Sequence, residues 1–101
     1  MKMSFHYWKN KGYTKKRKFI ALTNSYHGET LGSLSISNID LYKKTYKAIL
    51  KNTIIVKSPD CFHKNQKDSD EKHTVEMFDE MLKTIKKNHN DVCAVIIEPL
   101  V

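Results

Sequence analysis

Glycine is scarce in this chain, with only Gly12, Gly28 and Gly32 among 101 residues. A loop that cradles phosphate on successive backbone N–H groups needs several glycines close together, so no such cradle is expected within these residues. Proline is rarer still, at Pro59 and Pro99, and no Pro/Gly-rich linker divides the chain into units. Two cysteines, Cys61 and Cys93, are too few for a disulfide framework. Their spacing fits neither a Cys-x-x-Cys redox pair nor a zinc site. Cys93 lies in the apolar run Val92 to Ile97 and is expected to be a small buried hydrophobe. Cys61 has only His63 nearby as a further ligand, whereas structural zinc takes four.

Long apolar runs are also missing. None approaches the roughly 20 residues that cross a bilayer, and Met1 to Trp8 lacks the apolar stretch and small-residue cleavage site of a secretory signal. Cytoplasm is the expected location. Arginine occurs once, at Arg17, in a chain of formal charge +7. A nucleic-acid groove interleaves arginines and aromatics with its basic stretch. Here the lysines are scattered, and the one dense block, Lys15 to Lys18, directly precedes an apolar run. The charge therefore reads as a solvated surface. A basic nucleic-acid-binding module is the alternative, marked by DNA or RNA binding that weakens with salt. Neither a Gly-x-Ser-x-Gly elbow nor a His-Glu-x-x-His helix is present.

What the chain does have is the composition of a globular protein, with 40% hydrophobic and 10% aromatic residues. Ser4 to Asn10 reads as the last turns of a helix that Gly12 could cap. Phe19 to Thr23 is a short continuous apolar run, as in a buried strand. Thr30 to Ile36 and Leu41 to Leu50 resume helical spacing, the second with Tyr42, Tyr46 and Ile49 on one side. The β-branched Thr53 to Val56 reads as a second strand, and polar Ser58 to Asp70 as a surface connection. The clearest helix runs from Asp70 to Asn88, with Val75, Phe78, Met81, Leu82 and Ile85 on one face. Its acidic first turn and lysine-rich last turn suit the helix dipole. Val92 to Ile97 has no polar alternation, so both its faces are expected to be buried, as inside a helix-covered parallel sheet. The order of strands and helices is that of an α/β protein. Ligands in such sheets bind beyond the carboxyl ends of the strands, which selects two places: the loop Asn24 to Thr30, and Glu98-Pro99.

In the first loop, Tyr26 offers a ring and a hydroxyl, His27 is of the residue type that serves in acid–base chemistry, and Gly28 permits a tight turn or a close approach. The same residues also suit a plain strand-to-helix turn. Glu98 follows a wholly apolar strand, so its carboxylate needs a partner; it can be an acid, a base, an orienting group or a surface charge. His6, His63, His73 and His89 lie in polar surroundings and are expected to be exposed.

The order of these features resembles a known family. Lys2-Met3-Ser4-Phe5-His6-Tyr7-Trp8-Lys9-Asn10-Lys11-Gly12 comes first, followed by Lys18 to Leu22. Tyr26-His27-Gly28-Glu29-Thr30-Leu31-Gly32-Ser33-Leu34-Ser35 follows, and the chain closes on Ile96-Ile97-Glu98-Pro99-Leu100-Val101. This is similar to the large domain of the class III, fold type I aminotransferases that depend on pyridoxal 5'-phosphate. Tyr7-Trp8-x-Asn10-x-Gly12 and Tyr42-x-x-x-Tyr46 most resemble the branch of that family that acts in biotin biosynthesis.

The resemblance implies an α/β fold within a mainly parallel-sheet large domain, of which residues 1–101 would be a single part cut at both ends. It implies that Tyr26 packs over the cofactor ring and reaches the substrate, with His27 and Gly28 shaping that loop. Glu98 would support the network around an aspartate that pairs with the pyridinium nitrogen. The amino group would pass from S-adenosylmethionine to 8-amino-7-oxononanoate in a complete, homodimeric enzyme; another class III enzyme, of the omega-amino acid type, is the alternative. The phosphate loop, the aspartate and the Schiff-base lysine have no match in these residues. The resemblance therefore assigns no catalytic residue here and implies that the chain alone is inactive.

Overall fold

Lys18–Leu22 forms the central strand, β1, of the computed structural model, which describes residues 1–99 apart from the side chain of His63. Leu100 and Val101, the end of the closing motif, lie outside the described residues. Ile54–Val56 (β2) and Val92–Ile96 (β3) flank β1, both parallel to it, giving the order β2-β1-β3. Ile20 stands opposite both Ile54 and Val95, and Ala21 opposite Ile55 and Ile96. The register with β3 shifts between Lys18 and Phe19, where the amides of both Arg17 and Lys18 donate to the Asp91 carbonyl at 2.8 Å.

Successive residues of β1 face opposite sides of the sheet, and both sides are covered. Ile20 and Leu22 pack with Val56, Val92 and Met81 on one side; Phe19 and Ala21 pack with Ile36 and Cys93 on the other, where Trp8 lies against them. Ile20 and Ala21 are fully buried. A fully buried isoleucine or leucine contributes about 1.5–3 kcal/mol, so the strand itself is a main source of stability.

Helix Lys2–Asn10 (α1) lies on the β3 side and buries no residue of its own completely. Its anchor is Trp8, whose indole Nε1 donates to the Cys93 carbonyl at 2.9 Å. Lys16 places its ammonium 4.5 Å from the centre of the Trp8 ring and donates to the His89 carbonyl. One lysine thus joins the connection after α1 to the end of the long helix Asp70–Asn88 (α4). Ser69 caps α4 by accepting from the Lys72 amide at 3.1 Å, which satisfies one of the donors that every helix start leaves open.

Three expectations are corrected. Met77, Met81 and half-buried Ile85 turn toward the sheet, while Val75, Phe78 and Leu82 are 55%, 51% and 48% exposed. Residues four apart on a helix stack almost in line, so the line through 77, 81 and 85 seats on the sheet and the one through 75, 78 and 82 rotates outward. Leu41 to Leu50 is not one helix but a four-residue helix, Asp40–Lys43 (α3), and a 3-10 turn, Lys47–Ile49, with Tyr42, Tyr46 and Ile49 exposed. So short a helix forms too few hydrogen bonds to offset its nucleation, and no buried side chain pins a longer one. In β3, Val92 and Cys93 are buried but Ala94 to Ile96 are only half-buried, because among the described residues β3 has a neighbouring strand on one side only.

Burial pushes the Cys93 thiol pKa up. The thiolate is the reactive form, so a thiol reagent near pH 8 should label Cys61, which is only partly buried, well before Cys93. Equal labelling rates would show that the sheet opens readily. Replacing Trp8 with Phe keeps an aromatic ring over the sheet and removes the indole donor. The loss expected from the unpartnered carbonyl is about 1–2 kcal/mol, read as a lower urea midpoint by circular dichroism.

Candidate functional site at the carboxyl ends of the strands

Because the three strands run in parallel, their carboxyl ends and following loops gather on one edge. A hollow of about 560 Å³ opens there, lined by Thr23, Asn24 and Ser25 after β1, Ser58 and Pro59 after β2, and Ile97 to Pro99 after β3. The rim is stitched to the sheet. Thr23 donates from its amide to the Val56 carbonyl at 2.9 Å, and its hydroxyl accepts from the Ser58 amide at 2.9 Å.

The two places selected from the sequence meet here. Glu98 accepts a hydrogen bond from the Tyr26 amide on Oε2 at 3.0 Å, across 72 positions of sequence. Glu98 therefore has a specific partner, and that partner is the backbone of Tyr26. Tyr26 is not among the residues that line the hollow, and its ring lies 5.6 Å from the Tyr42 ring, centre to centre, at a tilt of 54°. It stays 38% exposed. Partial burial, and then the nearby charge of Glu29, raise the Tyr26 hydroxyl pKa above that of free tyrosine, so the hydroxyl holds its proton throughout the neutral range.

His27 is half-buried; its amide donates to Ser37 Oγ at 2.9 Å, and its Nε2 is buried with no hydrogen-bond partner. Gly28 has φ +120, and a Cβ at that position would come within 3.1 Å of the Ser33 Cβ. The backbone angle strains any larger residue, and Ser33 would have to shift slightly to admit one. Thr30 caps the five-residue helix Leu31–Ser35 (α2), its hydroxyl accepting from the Ser33 amide at 3.4 Å. The strand-to-helix turn expected of these residues is present, and it is joined to the hollow through the bond from the Tyr26 amide to Glu98.

The partner of Asn24 had no signal in the sequence. Asn24 adopts φ 59 and donates from its amide to Asn38 Oδ1 at 3.1 Å, a backbone region that asparagine tolerates better than most residues. Asn38 in turn donates from its own amide to the Ser25 carbonyl at 2.8 Å. His73, expected to be exposed, is half-buried, and its Nε2 is buried without a partner. It borders a smaller hollow of about 160 Å³ with Asn24, Lys57 and Met77. His6 and His89 are exposed; the side chain of His63 lies outside the described residues. Among those residues no cluster of acidic, histidine and cysteine side chains could hold a metal ion, and no helix is long and apolar enough to cross a membrane.

A family model described as "Aminotransferase class-III" matches residues 1–101. The chain belongs to the class III aminotransferases. It is 39% identical to an adenosylmethionine-8-amino-7-oxononanoate aminotransferase of Aquifex aeolicus over 97% of this chain. It is also 39% identical, over 99% of this chain, to the one from Helicobacter pylori. This class III chain spans 22% and 21% of the lengths of those relatives. An omega transaminase of Pseudomonas jessenii, solved in complex with PMP, superposes on it with a TM-score of 0.89 at 25% identity. That superposition covers 99% of this chain and 22% of that one. An (S)-enantioselective omega-transaminase of Thermomicrobium roseum, 24% identical, shares the fold with a TM-score of 0.89 over 98% of this chain and 22% of its own.

Replacing Glu98 with Ala removes the acceptor of the Tyr26 amide and should destabilise the protein by about 1 kcal/mol. A Gln at 98 keeps a neutral acceptor and should recover part of that loss. Guanidinium unfolding of both variants checks the order; equal stability of all three proteins would leave the bond without an energetic role.

Proposed function

We propose that this chain is part of the large domain of a pyridoxal-phosphate-dependent aminotransferase. The whole protein would transfer an amino group from S-adenosylmethionine to 8-amino-7-oxononanoate. The observation that carries this reading is the bond between the Tyr26 amide and Glu98 on the rim of the hollow, the place where a parallel sheet binds ligands. The named relatives, at 39% identity, favour this substrate pair.

The residues present suit one wall of a cofactor site. Tyr26 offers a partly exposed ring on a fixed backbone, His27 a buried ring nitrogen in want of a partner, and Glu98 a carboxylate at the end of β3. Tyr26 and His27 would flank the cofactor, with Gly28 giving the loop its turn, and Glu98 would support the groups around its ring nitrogen. When bound, pyridoxal phosphate supplies the electron sink that amino-group transfer needs. The chain's own residues would bind and orient it. No lysine lines the hollow among the described residues; a lysine to anchor the cofactor would come from the rest of the protein.

The test uses the whole protein that contains this chain. Amino transfer to 8-amino-7-oxononanoate is measured with S-adenosylmethionine and with an omega-amino acid as donor. S-adenosylmethionine should be the better donor, and Tyr26→Ala should lower kcat/KM on the order of 100-fold, as loss of a positioning contact can. Activity with the omega-amino acid alone would assign the protein to the omega-amino acid branch instead. Salt-sensitive nucleic-acid binding without any transfer would overturn the enzyme reading.

A further inference from the structure

The loop from Asn24 to His27 is held by side chains and backbone from a segment that no motif marks. The Asn24 amide donates to Asn38 Oδ1 at 3.1 Å, and the Ser25 carbonyl accepts from the Asn38 amide at 2.8 Å. The Tyr26 amide donates to Glu98 at 3.0 Å, and the His27 amide donates to Ser37 Oγ at 2.9 Å. Both peptide units that flank the Tyr26 Cα are therefore fixed. The unit before it is held at its carbonyl by Asn38 and at its N–H by Glu98, and the unit after it at its N–H by Ser37.

Ser37 is itself fully buried, and its hydroxyl donates to the Ser33 carbonyl at 2.9 Å. The hydroxyl thus donates to α2 and accepts from the loop at once, and its proton position is set by that pair of bonds. Ser25 is buried too, its hydroxyl donating back to the Leu22 carbonyl at 2.7 Å. The root of the loop is thus buried and hydrogen-bonded, while the Tyr26 ring on top of it is partly exposed. Fixing a backbone this way removes conformations that the chain would otherwise have to lose on binding a ligand.

We infer that Ser37, through its hydroxyl on the His27 amide, and Asn38, through its side-chain oxygen on the Asn24 amide, are positioning residues that hold the loop around Tyr26 in place for amino transfer, acting through the loop and not through contact with the reacting groups. This rests on the functional reading above. The variants are Ser37→Ala, Asn38→Ala and Asn38→Asp in the whole protein; the aspartate keeps an oxygen to accept from the Asn24 amide.

Hydrogen exchange by mass spectrometry is followed in the peptides covering 23–30 and 18–22, beside kcat and KM. Each alanine variant should speed exchange in the loop about tenfold, leave β1 unchanged, and lower kcat/KM about tenfold; Asn38→Asp should restore both. The inference is overturned if loop exchange does not change, or if the loop loosens only together with β1, which is general destabilisation. It is also overturned if the loop loosens and kcat/KM holds while Tyr26→Ala lowers it. If Tyr26→Ala itself leaves kcat/KM unchanged, the functional reading fails first and the positioning role goes with it.

Discussion

The structure depends on β1 being held between two parallel neighbours with both of its faces buried. An antiparallel partner on either side would send one carboxyl end to the opposite edge. With β2 and β3 both parallel, the segments after Leu22, Val56 and Ile96 all emerge at the same edge. That direction, more than any single side chain, brings Glu98 to Tyr26 across 72 positions. Parallel strands need long connections, and here these carry α2, α3 and α4. Helix α4 covers one face of the sheet; α1 and the segment after α2 cover the other.

The loop after β1 is held in a different way. A loop with a single glycine cannot turn freely, so its backbone groups must find fixed partners. They find them in a carboxylate, an asparagine and a buried serine from segments 10 to 72 positions away. Gly28, at φ +120, gives the sharp change of direction that follows, with Ser33 crowding the place a Cβ would take. Scarce glycine and plentiful small polar residues are two sides of one solution: the turn is made once, and the rest of the loop is held by hydrogen bonds.

Much of this was legible beforehand because it is local. Apolar runs marked the three strands, and the bounds of α4 follow from its apolar spacing with acidic residues first and lysines last. The two loops singled out, Asn24 to Thr30 and Glu98-Pro99, followed from the α/β order of elements and the rule that ligands bind beyond the carboxyl ends of parallel strands. The errors arose where local pattern is ambiguous. Five apolar residues of α4 span more of its surface than the sheet covers, so spacing did not decide between the line through Met81 and the one through Phe78. His73 looked exposed because its sequence neighbours are polar, although its neighbours in space include Met77 and the hollow's rim.

The sequence by itself determined the α/β class, the buried strands, the long helix, and a family whose motifs lie at Tyr26-His27-Gly28 and Glu98-Pro99, because each is written in consecutive residues or a fixed period. Only the tertiary structure decided that Glu98 bonds the Tyr26 backbone, that Ser37 and Asn38 brace the same loop, and which stripe of α4 seats on the sheet. Those contacts join residues with no sequence relation to one another. A hydrogen bond across a folded sheet edge leaves no periodic trace in the chain that makes it.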